Sequence, residues 1–154
     1  MKQRFKVKAA VYLVLRDHKA NDKVLLSRRY NTGYKDGQYS MVAGHIDGDE
    51  RLEVALARET KEEVDIDIDP NDLELVHVMH ARSEIEGTTD DEYLDFYFAT
   101  DKYLGEPKIM ETDKCDDLSW FEVGNPPENT VDKVRLALLD IAKNNLYSGF
   151  NWED

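Results

Sequence analysis

Residues 44–66, GHIDGDERLEVALARETKEEVDI, hold a helix-length segment whose inner face changes chemistry halfway along. At about 100° per residue, Leu52, Ala55 and Leu56 make an apolar stripe, and Glu59, Glu62 and Glu63 continue it. A helix turns its apolar stripe towards a core, so this pattern carries three carboxylates at i, i+3 and i+4 to the core's edge. Like charges at that spacing repel when exposed and repel more when half buried. An acidic helix face solvated in part by Arg58 and Lys61 is the plain alternative. A divalent cation removes the conflict instead, because oxygen donors on adjacent turns suit Mg²⁺ or Mn²⁺. Mg²⁺ keeps several waters and bridges carboxylates to substrate phosphates. The residues alone therefore point to metal and phosphate.

The surrounding chain supplies strands for such a helix to pack on. Runs rich in Val, Leu, Tyr and Phe predict strands at 5–15, 23–28, 38–43, 73–82, 92–100 and 117–122. Helices are expected at 49–63, with Asp49 as N-cap, and at 130–145, capped by Asn129 or Thr130. The 82–92 segment, with Gly87, reads as a hairpin loop. Strands interleaved with two helices indicate one α/β or α+β layered domain over residues 1–154. The basic stretch before Ala9–Leu15 faintly imitates a secretory signal, but seven apolar residues without a cleavage site read better as a strand.

Charge limits the partners. With 33 Asp+Glu against 20 Lys+Arg, the net charge is −13, which disfavours duplex nucleic acid and anionic membrane surfaces. The 41% of apolar residues can still fill a core, which argues against disorder. Cys115 is alone, so no internal disulfide forms, in keeping with a cytoplasmic protein. A monomer or homodimer are both open.

The segment at 44–66 resembles the Nudix box, G, five residues, E, seven residues, R-E-U-x-E-E-x-G-U, with U aliphatic. Gly44, Glu50, Arg58, Glu59, Glu62, Glu63 and Ile66 match at the required spacing. Thr60 replaces an aliphatic residue, and Asp65 replaces the glycine that supplies a left-handed turn, a conformation Asp tolerates better than most. The resemblance implies an α/β/α sandwich around a mixed sheet, with the box as loop–helix–loop. It implies Mg²⁺-dependent hydrolysis of a nucleoside diphosphate linked to another moiety, a small-molecule nucleotide. Glu59, Glu62 and Glu63 would hold metal, with the Gly44 carbonyl as a further ligand. Arg58 would orient a glutamate, and Glu50 would be structural. Residues 105–111, G-E-P-K-I-M-E, look like the MutT-type loop whose last glutamate, here Glu111, adds a ligand or base. Residues 126–129, P-P-E-N, look like the stretch whose asparagine, here Asn129, reads the base.

Other candidates compete with structural roles. Arg28 and Arg29 end a strand where a cation could meet phosphate, although adjacent strand residues face opposite sides. Tyr30, Tyr34 and Tyr39 could stack on a base or pack a turn, and His80 could face substrate or solvent. No HxH, HExxH or Cys/His spacing supports zinc. Residues 81–84 offer neither the proline of ADP-ribose hydrolases nor the tyrosine of dinucleoside-polyphosphate hydrolases, which leaves a nucleoside triphosphate as first choice. ADP-ribose, a nucleotide sugar or a dinucleoside polyphosphate, or a non-catalytic nucleotide-sensing module, are the alternatives.

Overall fold

Strand β1 (Lys8–Leu15) is apolar without alternation from Ala9 onward because both of its faces are covered. Val11, Leu13 and Leu15 enter one core with helix α1 (Leu52–Val64). Ala10, Tyr12 and Val14 enter a second core with helix α2 (Asp132–Ala142). The computed structural model describes residues 1–153.

Numbered in chain order, the remaining strands are β2 (Lys23–Arg29), β3 (Tyr39–Ser40), β4 (Ala43–His45), β5 (Glu74–Arg82), β6 (Glu92–Thr100), β7 (Cys115–Glu122) and β8 (Tyr147–Phe150). One mixed sheet runs β4-β1-β6-β5-β8, parallel at β1–β6 and β5–β8 and antiparallel elsewhere. A smaller antiparallel sheet runs β3-β2-β7. With α1 on β1 and β4, and α2 on β5 and β8, the layers form the expected α/β/α sandwich. No helix among the described residues is long and apolar enough to cross a membrane.

Four local expectations are corrected. The apolar run 38–43 is two strands in different sheets, since β3 pairs with β2 while β4 pairs with β1. Asp49 does not cap α1: Gly48 and Asp49 both turn through positive φ, and the helix starts later, behind Arg51, with no side-chain cap. Neither Asn129 nor Thr130 caps α2, because Asn129 Nδ2 donates to the Gly37 carbonyl and Thr130 Oγ1 to that of Pro127. The second helix stops at Ala142, where Asn144 takes a left-handed turn, and the chain returns as β8. Buried His77 fixes that return: its ring nitrogens bond the Asn145 carbonyl and Ser148 Oγ, each at 2.8 Å.

Asp65 ends α1 in the left-handed region, at φ 58° and ψ 39°. Its carboxylate pairs with Lys61 at 3.0 Å and Lys108 at 3.2 Å. Thr60, the other departure from the box, is fully buried and returns its hydroxyl to the Leu56 carbonyl at 2.7 Å. A side chain branched at Cβ is poorly tolerated at a left-handed position. Asp65→Val should therefore lower stability by about 1–2 kcal/mol, and Asp65→Gly should change it by less than about 0.5 kcal/mol. Urea unfolding of both variants measures the difference.

Candidate active site

The site begins where α1 presses on β4. Gly44 has no positive φ that would demand glycine; what it supplies is space. A methyl group there would lie 2.5 Å from Glu59 Cγ and 2.7 Å from its Oε1. Absence of a side chain at Gly44 thus lets the first carboxylate of the acidic stripe lie flat on the sheet.

Arg58 gathers the carboxylates around it. Its guanidinium bonds Glu50 at 2.7 Å and Glu59 at 3.2 Å, and lies 3.6 Å from Glu62. Glu50 pairs with Arg58, and Glu62 is the most exposed of the three partners. Glu63 lies deeper, at the rim of a cleft, where its Oε2 is buried without a partner. Burial, then the charges of Glu59 and Glu111, push the Glu63 carboxyl up to about 8. Burial likewise raises Glu59, with Glu62 and Glu111 adding to the rise and Arg58 opposing it.

Glu111 arrives through the end of α1. The last carbonyls of a helix lack intrahelical partners, and here Lys108 N–H bonds the Val64 carbonyl while Met110 N–H bonds that of Glu63. Upstream, Asp67 and Leu104 exchange a pair of backbone hydrogen bonds. The segment carrying Glu111 is thereby stitched to the helix that carries the other glutamates. Lys114 pairs with Glu111 at 3.2 Å.

The cleft, about 710 Å³, is lined by residues of both sheets, with Glu63, Glu111, Tyr12, Asp95 and Lys133 among its walls. Among the described residues no three histidine, cysteine or acidic side chains converge closely enough to ligate one ion as they stand. The donor set nevertheless suits Mg²⁺, which takes one or two protein carboxylates and fills its shell with water and phosphate. The unpartnered Oε2 of Glu63 is the atom such an ion would satisfy.

Both arginines of β2 border the cleft, although the alternation of strand faces predicts only one. The register of β2 on β7 shifts between Arg28 and Arg29, which breaks the alternation locally. Arg28 is held by Asp116 at 2.7 Å, and Arg29 bonds the Tyr34 carbonyl and Thr32 Oγ1. Tyr34 lines the cleft, Tyr39 bonds Asp117, and Tyr30 is exposed. His80 is turned elsewhere: it bonds Glu92 at 2.8 Å and packs on Trp152. Asn129 is a strut under the 31–37 loop through its bond to Gly37. Cys115 lines the cleft as a half-buried thiol raised by burial. Sequence reasoning passed over the Asp95–Lys133 pair, whose one local signal was an aspartate amid the apolar run EYLDFYFAT.

Residues 5–139 match the family model described as NUDIX domain. Among curated proteins the chain is 28% identical, over 106 residues, to the NAD-capped RNA hydrolase NudC of Stutzerimonas stutzeri, covering 69% of this chain and 34% of that protein. The chain thus spans about a third of that relative's length. In fold it is similar to a MutT NUDIX hydrolase from Burkholderia pseudomallei, with TM-score 0.72, 22% identity, and coverage of 87% of this chain and 97% of the other. The MutT protein of Methanosarcina mazei Go1 superposes with TM-score 0.72 at 21% identity, covering 94% and 99%. The NUDIX domain of Shewanella oneidensis NrtR, solved with ADP ribose, gives 0.65 at 20% identity, covering 91% and 88%.

Gly44→Ala should cost about 1–3 kcal/mol through overpacking against Glu59. In Gly44→Ala/Glu59→Ala most of that cost should disappear, because the clashing carboxylate is gone. Denaturant titration of the two single variants and the double reads the coupling.

Proposed function

The chain belongs to the NUDIX domain family, and on that footing we propose that it is a metal-dependent pyrophosphohydrolase of a nucleoside diphosphate linked to another moiety. The observation that carries this reading is the buried, unpartnered Oε2 of Glu63, at the rim of the cleft and under the charges of Glu59 and Glu111. A cluster this unfavourable on its own has a use for a cation.

Glu59 and Glu63 would hold Mg²⁺ or Mn²⁺, with Glu62, Glu111 and the Gly44 carbonyl as further donors. The ion would supply charge neutralisation at the phosphates and a more acidic water. Arg58 favours the charged form of Glu59 and orients it through its bond at 3.2 Å, while Glu50 holds Arg58 in place. Arg28 and Arg29 offer the cleft positive charge for the phosphates. Hydrolysis adds the elements of water across the phosphoanhydride, and a carboxylate of the cluster takes the proton released by the attacking water.

The first substrate is a nucleoside triphosphate, giving the monophosphate and pyrophosphate. A second reading, a ligand built on ADP-ribose, is favoured by the likeness to NudC, a hydrolase of NAD-capped RNA, and to the NrtR domain solved with ADP ribose. A nucleotide panel with Mg²⁺ separates them by which compound releases a nucleoside monophosphate. Release from no compound, with binding retained, would favour a sensing module.

Glu59→Gln and Glu63→Gln should each lower kcat with Mg²⁺ by about 10²-fold or more. The unfolding midpoint should stay level or rise, since Glu59→Gln removes a crowded charge and Glu63→Gln replaces a carboxyl whose burial already disfavours its charged form. Activity retained within a few-fold would overturn the assigned roles.

A further inference from the structure

Away from the acidic cluster, the cleft is bordered by a second polar group that the reaction above does not use. Asp95 and Tyr97, two apart on β6, are both fully buried, and both end in an unpartnered atom, Asp95 Oδ1 and Tyr97 Oη. The other carboxylate oxygen of Asp95 accepts from Lys133 Nζ at 3.1 Å. That ammonium lies 5.4 Å from the Tyr12 ring centre and 5.7 Å from that of Tyr93, and Tyr12 stacks on Tyr97 at 4.7 Å. Burial raises the Asp95 carboxyl and the Lys133 ammonium opposes the rise. Buried polar atoms are satisfied in all but a few instances per hundred residues. Of these two orphans, Asp95 borders the cleft and Tyr97 lies behind it, so Asp95 Oδ1 is the atom that a ligand in the cleft would meet.

The sheet fixes where this group stands relative to the acidic cluster. Ala10 pairs with both His45 and Asp95, so Asp95 lies two strands from β4, about 10 Å across the sheet from the residue after Gly44. Both ends border the same cleft, whose volume falls within the usual range for small-ligand sites. A nucleotide with its phosphates at Glu63 and Glu111 places its base at the other end.

We infer that Asp95 and Lys133, flanked by the rings of Tyr12 and Tyr93, read the edge of a nucleobase bearing an exocyclic amino group. With its other oxygen bonded to Lys133, Asp95 offers Oδ1 as an acceptor for an N–H of the ligand, and Lys133 supplies a donor for the acceptor beside it. Adenine, cytosine and guanine present an amino group next to a ring acceptor or N–H. Uracil and thymine offer a single imide N–H and no exocyclic amino group, so they give the pair fewer donors and set a second carbonyl oxygen near the carboxylate. This assignment moves base recognition from Asn129, whose amide is engaged by Gly37. It rests on the proposed function only in taking a nucleotide as the ligand.

Equilibrium binding tests it without turnover, using α,β-methylene nucleoside triphosphates of all base types and inorganic triphosphate as the base-free probe. The wild-type chain should bind at least one amino-bearing nucleotide about tenfold or more tighter than the uridine analogue and than inorganic triphosphate. Asp95→Asn should shift or level the order among bases. Asp95→Leu/Lys133→Met, which replaces the whole pair by apolar groups so that no lone charge stays buried, should abolish the preference while triphosphate binding holds. Unchanged base preference in both variants, or none in the wild type, would overturn the inference and leave a buried water as the partner of the two orphans. Equal loss for the nucleotides and for triphosphate would overturn it in favour of a structural role. Failure of the hydrolase reading would show separately, as absent Mg²⁺-dependent turnover with base-selective binding intact.

Discussion

Repulsion among carboxylates at one end of a helix is the constraint that organises this molecule. Glu59 and Glu63 are drawn against the sheet by the same stripe that buries Ala55 and Leu56. The neighbouring features are responses to that strain. Gly44 gives room, and Arg58 spreads one cation over three carboxylates. Such a cluster is expensive for stability, which fits a site held ready for charge it does not itself carry.

The acidic end was legible in the sequence because its members lie within one helix and the turns beside it, where spacing fixes geometry. The left-handed turn at Asp65 was legible for the same reason: a local position asks for a conformation that few side chains accept. Glu111 was found only through likeness to a known loop, since its place depends on hydrogen bonds between the loop backbone and the end of α1. Helix starts misled the reading, because Asp49, Asn129 and Thr130 look like caps and are used instead in turns or tertiary bonds. Strand β8 was missed because four residues with a glycine carry little strand signal, and buried His77 in another strand holds them.

The other end of the cleft was illegible for a deeper reason. Asp95 and Lys133 belong to different elements, and only the packing of α2 over the large sheet brings them together. An aspartate inside an apolar strand is a visible anomaly, but its partner is not deducible without topology. Arg28 and Arg29 show the converse, where a shift of register lets two neighbours serve one side that simple alternation would have divided between them.

The stitching of residues 104–110 onto the end of α1 has a dynamic consequence. The hydrogen bonds that satisfy the final carbonyls of the helix are the ones that hold Glu111 in position. Fraying of the last helical turn and departure of Glu111 are therefore a single opening event, shared by two segments distant in sequence. Amides of 63–67 and 104–110 are expected to exchange together. The acidic cluster is thus assembled or dissolved as a whole, and a half-built site, with helix glutamates in place and the loop glutamate adrift, is a state this fold suppresses.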